Sequence, residues 1–270
     1  MKIMGIVNVT PDSFSDGGSW ADPAAAIAHG RELMDQGATI LDIGGESTRP
    51  GFTPLTPKQE WERIGEVVRV LSAEGNKRGV QVSVDTYHAD TARWSVEAGA
   101  HIVNDVTGGL ADPEMLSTVA GLDCDYILQH MRGDLVTMDQ YATYTDVVAE
   151  VFAELKEARD RAVSAGIARE RIILDPGLGF AKPGEENWVI LRAIDELNDL
   201  GHRVLIGQSR KRFIGDLVGG VPTDRDVPTA VISGYLALHN VWATRVHNVA
   251  ASVAAVATAL KLQESAMDLA

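Results

Sequence analysis

Polar residues recur at one place in this chain's repeating pattern, directly after each short apolar run. They are Asn8, Asp42, Asp85, Asn104, Gln129 with His130, Asp175, Ser209 with Lys211, and Arg245 with His247. Several Asp and Asn side chains converging on one mouth suit a planar, nitrogen-rich ring read edge-on. A carboxylate accepts two parallel N–H bonds from an amidine-like edge, and an amide both donates and accepts. Asp85 and Asp175 are the best placed for this. The alternative for each is an ion pair with a neighbouring Lys or Arg, which we disfavour because two carboxylates in one mouth repel unless a ligand or cation separates them. Arg245 beside His247 suggests an anion site, and Asn8 offers Mg²⁺ a neutral oxygen donor. Taken alone, His247 reads as a structural histidine.

Three further stretches add to this set. Residues 207–215, GQSRKRFIG, place Arg210, Lys211 and Arg212 at the end of the run Val204-Leu205-Ile206 in a chain of formal net charge −14. A solvated basic turn is the simplest account of such a cluster. Residues 8–18, NVTPDSFSDGG, and 44–51, GGESTRPG, are rich in carboxylates, hydroxyls and glycine. Loops of that composition close over substrates when they leave one face of a barrel.

The elements that must position these residues alternate between short apolar runs and longer helical stretches. Strands are expected at Ile3 to Val9, Ile40 to Ile43, Val80 to Val84, Ile102 to Val103, Tyr126 to Leu128, Ile172 to Leu174, Val204 to Ile206 and Thr244 to Val246. Helices are expected around Pro23–Gln36, Pro57–Glu74, Ala89–Ala98, Pro113–Ala120, Tyr144–Ala165, Asn187–Leu200, Pro228–Val241 and Val249–Leu262. Asp22-Pro23, Thr56-Pro57 and Asp112-Pro113 place a capping residue before proline, and Gly37, Gly99, Gly166 and Gly201 follow helices. Eight strand–helix pairs in 270 residues predict an α/β fold, a single (β/α)8 TIM barrel spanning 1–270 as one domain. A doubly wound sheet would need fewer units and a Gly-rich first turn.

Composition narrows the function classes. With 45% hydrophobic and 23% charged residues the chain can build a full core, and its acidic balance argues against nucleic acid or an anionic membrane as partner. Lys2 to Val7 reads as a first strand rather than a leader, and the Ala-rich stretch Val249 to Leu260 is too short to span a bilayer. The single Cys124 excludes an internal disulfide and a cysteine-rich zinc site. A cytoplasmic location is expected.

Seven motifs, in one order, resemble the bacterial dihydropteroate synthase family: NVTPDSFSDGG, DIGGESTRPG, VSVDT, NDVTGG, LDPGLGF, GQSRKRFIG and RVHNV. The resemblance covers nearly the whole chain. It implies a transferase of folate biosynthesis, condensing 7,8-dihydropterin-6-ylmethyl pyrophosphate with p-aminobenzoate to give 7,8-dihydropteroate and pyrophosphate. It implies that Asp85, Asn104, Asp175 and Lys211 bind the pterin, and that Asn8, Thr48, Arg245 and His247 bind the diphosphate. Mg²⁺ would bridge from Asn8. Phe14, Phe180 and Ser209 would receive p-aminobenzoate, with the amino end of the following helix facing its carboxylate. Asp16, Phe14, Arg49 and Lys211 would be catalytic, the two long loops closing over a dissociative substitution. A homodimer formed near the C-terminal helix and inhibition by sulfonamides, which mimic p-aminobenzoate, are further implications. Arg210 and Arg212 are left as flanking charges.

The family usually carries Asp where this chain has Asn248, which removes a charge near the diphosphate or a support for His247. Two other readings stay in view, a pterin-binding methyltransferase and a catalytically silent pterin-binding protein. The SRK motif and long first loop oppose the former, and the intact diphosphate set opposes the latter.

Overall fold

Period-two alternation decides which strand residues face the barrel interior. Met4, Ile40, Ile102, Ile127, Ile173, Leu205 and Ala243 form one buried cluster, the apolar plug of the barrel. Two residues further along the same strands come Ile6, Asp42, Asn104, Gln129, Asp175, Gly207 and Arg245. The inward face therefore changes from apolar to polar within one step of the pleat.

The computed structural model describes residues 1–10, 22–46 and 54–267. Eight parallel strands close into a barrel in sequence order: β1 (Lys2–Asn8), β2 (Ile40–Gly44), β3 (Gln81–Asp85), β4 (Ile102–Asp105), β5 (Asp125–Gln129), β6 (Ile172–Asp175), β7 (Arg203–Ile206) and β8 (Ala243–Val246). β1 pairs with β8 and closes the ring. The outward faces pack in a second, larger cluster against the helices, and each fully buried Leu, Ile or Val contributes about 1.5–3 kcal/mol.

The helices are α1 (Pro23–Asp35), α2 (Pro57–Arg78), α3 (Ala89–Glu97), α4 (Met115–Ala120), α5 (Val147–Ser164), α6 (Gly184–Arg192), α7 (Ile194–Asn198), α8 (Arg212–Val218), α9 (Asp226–Leu238) and α10 (Val249–Met267). Asp22 and Thr56 cap α1 and α2 as their sequences predict. Asp112 instead bonds the N–H groups of Ala89 and Glu114, so α4 begins two residues after Pro113. The stretch expected as one helix over 187–200 starts earlier, at Gly184, and breaks at Ala193 into α6 and α7. α8, between Lys211 and Gly219, is an additional element. None of the described helices is long and apolar enough to cross a membrane.

Candidate active site

A cavity of about 500 Å³ opens at the carboxyl ends of the strands. Asn8, Asp85, Asn104, Gln129, Asp175, Phe180, Ser209, Lys211, Arg245 and His247 all line it. The strand-end residues are thus brought together, except that Asp42 lies beneath the cavity and His130 turns away to Lys182 and Glu154. Phe14, Asp16, Thr48 and Arg49 lie outside the described residues.

Two groups of charges form the floor. Asp42 is fully buried and accepts from Asn104 Nδ2 at 3.0 Å and Arg245 Nε at 2.6 Å. Arg245 Nη2 donates to Asp85 Oδ2 at 2.7 Å. Asp85 is therefore ion-paired, the arrangement disfavoured on sequence grounds, because Arg245 on β8 reaches across the open interior to β2 and β3. Burial nonetheless raises the Asp85 pKa to about 7; Arg245 opposes the rise and Asp42 adds to it. For Arg245, burial works against the charge, but Asp42 and Asp85 outweigh it and hold the guanidinium protonated.

The second group joins β6 to the loop after β7. Burial raises the pKa of Asp175, against the pull of Lys211 and of the Gly177 N–H, which donates to Oδ1 at 2.7 Å. Burial lowers Lys211 to about 8, with Asp175 resisting. Lys211 Nζ donates to the Leu178 carbonyl and stands 4.8 Å from the centre of the Phe180 ring. Two glycines make room for this. A Cβ on Gly177, at φ +66°, would lie 2.0 Å from the His130 carbonyl oxygen. A Cβ on Gly207 would project between Asp175, Lys211 and Arg245, each within 4.0 Å.

At the rim, the His247 N–H donates to Ser209 Oγ at 3.1 Å, and Oγ lies 2.9 Å from His247 Nδ1. With the hydroxyl proton directed at Nδ1, the neutral ring carries its proton on Nε2. His247 is thus oriented by Ser209 and not by residue 248. Asn248 does other work: its Oδ1 accepts the Ala251 N–H at 3.0 Å at the start of α10, and its Nδ2 donates to Asp226 at 3.1 Å. Asp226 in turn takes two bonds from Arg210, at 2.6 and 2.9 Å. Arg210 is therefore no flanking charge; its side chain is 11% exposed and its backbone sits at φ +57°. Arg212 is exposed at the pocket edge, as expected. We predict that Asn248→Asp sets two carboxylates against each other and costs about 1–2 kcal/mol at pH 7. Against the pull of burial, Arg210 holds Asp226 below the usual carboxylate range, so the introduced carboxyl is the one that takes up a proton, and the cost should shrink when urea unfolding is repeated at acid pH.

Asn8 presents a neutral amide at the pocket wall that also carries the Glu46 and Asp85 carboxylates. That donor set fits one protein ligand to Mg²⁺, an ion that keeps waters and substrate phosphates for its other positions. A separate group of possible ligands among the described residues, Glu46, Glu60 and His88, is occupied internally: Thr86 and His88 bond Glu60, and Tyr87 donates to Glu46.

Parallel strands, a polar inner layer at their carboxyl ends and a pocket lined by buried carboxylates define a (β/α)8 barrel enzyme. The model of the pterin binding enzyme family matches residues 4–247. A dihydropteroate synthase of Mycobacterium leprae is 46% identical over 265 residues, 95% of this chain and 91% of the relative. The Xanthomonas albilineans dihydropteroate synthase, solved with 4-aminobenzoic acid, superposes with TM-score 0.88 at 41% identity, covering 97% of this chain and 93% of that one. The Yersinia pestis synthase, solved with a sulfonamide drug complex, gives TM-score 0.92 at 34% identity over 97% and 94%. The chain belongs to the pterin binding enzyme family, and within it to the dihydropteroate synthases.

Proposed function

We propose that this pocket condenses 7,8-dihydropterin-6-ylmethyl pyrophosphate with p-aminobenzoate, forming 7,8-dihydropteroate and releasing pyrophosphate. The observation that carries the reading is the polar inner layer, where Asn104 Oδ1 is buried without a hydrogen-bond partner beside Asp85 and Asp175. An unmet buried acceptor costs about 1–3 kcal/mol, which a ring presenting N–H donors would relieve. Asp85, Asn104 and Asp175 read the pterin edge, and Lys211 bonds its opposite side. Asn8, Arg245 and His247 face the diphosphate, joined by Thr48 from the second loop. Ser209, Phe180 and Phe14 receive p-aminobenzoate.

No protein nucleophile is required. The C–O bond to pyrophosphate breaks as positive charge develops on the exocyclic carbon of the electron-rich dihydropterin; the p-aminobenzoate nitrogen then forms the C–N bond and loses a proton. Asp16 and Arg49 complete the closed loops around this step. Asn8 would hold Mg²⁺, which would supply further neutralisation of the leaving group. Arg245 contributes its positive charge, and His247 a hydrogen bond from Nε2, at the same place. Positional isotope scrambling in the pyrophosphate without p-aminobenzoate is expected for a dissociative path; its absence with the loops closed would favour concerted displacement.

Purified protein given both substrates and Mg²⁺ should form 7,8-dihydropteroate, followed by chromatography. A protein that binds a pterin yet forms no product would be a silent binder or a methyltransferase. The pH profile follows from the two shifted groups. Below pH about 7 Asp85 gains a proton and loses its capacity as a double acceptor; above about 8 Lys211 loses its charge. Their coupling makes both limbs properties of the whole cluster. We expect kcat/KM for the pterin substrate to be bell-shaped, with limbs near these values.

The reading includes a cytoplasmic enzyme, in keeping with a lone buried Cys124, and a homodimer. Val227, Val231, Tyr235 and Leu238 expose one apolar face of α9, which packs on α10 through Gly234 against Ala255 and Ala259. A second copy would cover that face. Sedimentation should show a dimer for the wild type and a monomer for Val231→Glu; a monomeric wild type would end the proposal.

A further inference from the structure

Lys182 is the most deeply buried amine of the described site, 4% exposed, and none of the roles above uses it. Its Nζ is surrounded by three acceptors: His130 Nδ1 at 2.8 Å, the Phe180 carbonyl at 2.9 Å and the Gly177 carbonyl at 3.1 Å. Three acceptors match the three donors of an ammonium group, against the burial that pulls the Lys182 pKa well below the ordinary lysine value, with Asp175 and Glu154 opposing the fall. Those two carbonyls are the first and last of the four-residue turn Gly177–Phe180, which the Phe180 N–H closes onto the Gly177 carbonyl at 3.0 Å. The carbonyl between them, Leu178, is the acceptor for Lys211. Two lysines thus hold one turn, Lys182 from within the protein and Lys211 from the pocket.

The turn needs such an anchor. Gly177 and Gly179 adopt φ of +66° and +76°, and Ala181, next to Lys182, sits at +48°, which is strained for a residue with a Cβ. Tyr144 Oη donates to the Ala181 carbonyl at 2.9 Å, and Asn187 Oδ1 accepts the Gly179 N–H at 2.7 Å. Behind Lys182, His130 Nε2 lies 2.9 Å from Glu154 Oε2, and Arg132 bonds Glu154 and Glu150. Burial and the nearby Lys182 lower His130 to about 4, so the ring is neutral, with its proton on Nε2 towards Glu154 and Nδ1 free to accept. Glu154 therefore fixes the tautomer that receives Lys182.

We propose that Lys182, backed by His130 and Glu154, is a positioning residue that holds the Gly177–Phe180 turn and thereby sets the place of Lys211 and Phe180 in the pocket. Lys182 acts on the ligand through Lys211 and need not touch it. The proposal rests on the pterin-binding reading above, and a double-mutant cycle separates the two. Affinity for pteroic acid is measured for wild type, Lys182→Met, Lys211→Met and the double variant, with the thermal midpoint recorded for each.

Lys182→Met is expected to weaken binding ~10–100-fold in the wild-type background and less than about 3-fold once Lys211 is gone, because the contact it positions no longer exists. An equal loss in both backgrounds would mean general loosening of the fold and would overturn the inference. If Lys182→Met does not fold, the cycle is run with Glu154→Gln at the protein surface. That variant should weaken binding ~3–10-fold with the same dependence on Lys211, and equal losses again count against it. A wild type that fails to bind pteroic acid would instead remove the functional reading itself.

Discussion

Lys211→Ala is expected to lower kcat/KM by about 10²–10³-fold while leaving the thermal midpoint within a few degrees of wild type. The first part follows from what the ammonium group is offered. It stands in a pocket shared with Asp175, over Phe180, and donates to the Leu178 carbonyl. A charge-assisted bond from such a site to a ligand is worth roughly 2–4 kcal/mol when its partner is desolvated. The second part follows from burial, which works against the Lys211 charge and lowers its pKa to about 8. Removing it relieves a cost as well as a contact. Steady-state kinetics on both substrates, set beside a melting curve, check this. A large fall in stability with modest loss of rate would assign Lys211 a structural role.

Arg245→Met should cost stability as well as activity. Its guanidinium serves Asp42, which is fully buried, and Asp85, which is nearly so. Taking away one partner of a buried ion pair typically costs 3–5 kcal/mol, since it strands the remaining charge. We therefore expect both activity and stability to fall. The stability loss should depend on pH in a definite direction. Without Arg245 the folded-state pKa of Asp85 rises further above its unfolded value, so the folded state takes up a proton as pH falls and recovers stability between neutral pH and about pH 4. Urea unfolding at pH 5 and pH 8 should show the larger deficit at pH 8. A deficit independent of pH would mean that the stranded carboxylates are not its cause.

These two residues also mark how much of the site can be read from the chain alone. Arg245 lies on β8, where a period of two places it on the same inner face as Asp85, Asn104 and Asp175, and Lys211 follows the end of β7 at the start of α8. That level of organisation is local and so is visible in the sequence. The partnerships are not. Asp42 to Arg245 spans 203 residues, and only closure of β8 onto β1 brings them together. The same holds for Lys182 and His130, 52 residues apart, joined where the β5 and β6 loops meet.

Element ends show the same limit. Gly75 looks like a helix stop after Glu74, yet α2 continues to Arg78 because the missing Cβ lets the Val80 carbonyl approach; a Cβ there would lie 2.6 Å from its oxygen. Gly79, at φ +71°, ends the helix instead. The break at Ala193 has no Pro or Gly to announce it. Asn248, where the resemblance led to an expected Asp, owes its role to Asp226, 22 residues away in the chain.

The most direct measurement of the central claim is a crystal structure of the protein with 7,8-dihydropteroate bound. The account predicts the pterin ring in the cavity at the carboxyl ends of the strands, its N–H edge on Asp85, Asn104 and Asp175, Lys211 bonded to the ring, and the benzoate near Ser209 and Phe180. A pterin seated elsewhere, or one turned so that Asp85 stays paired only with Arg245 and Asp175 makes no bond to the ring, would contradict it.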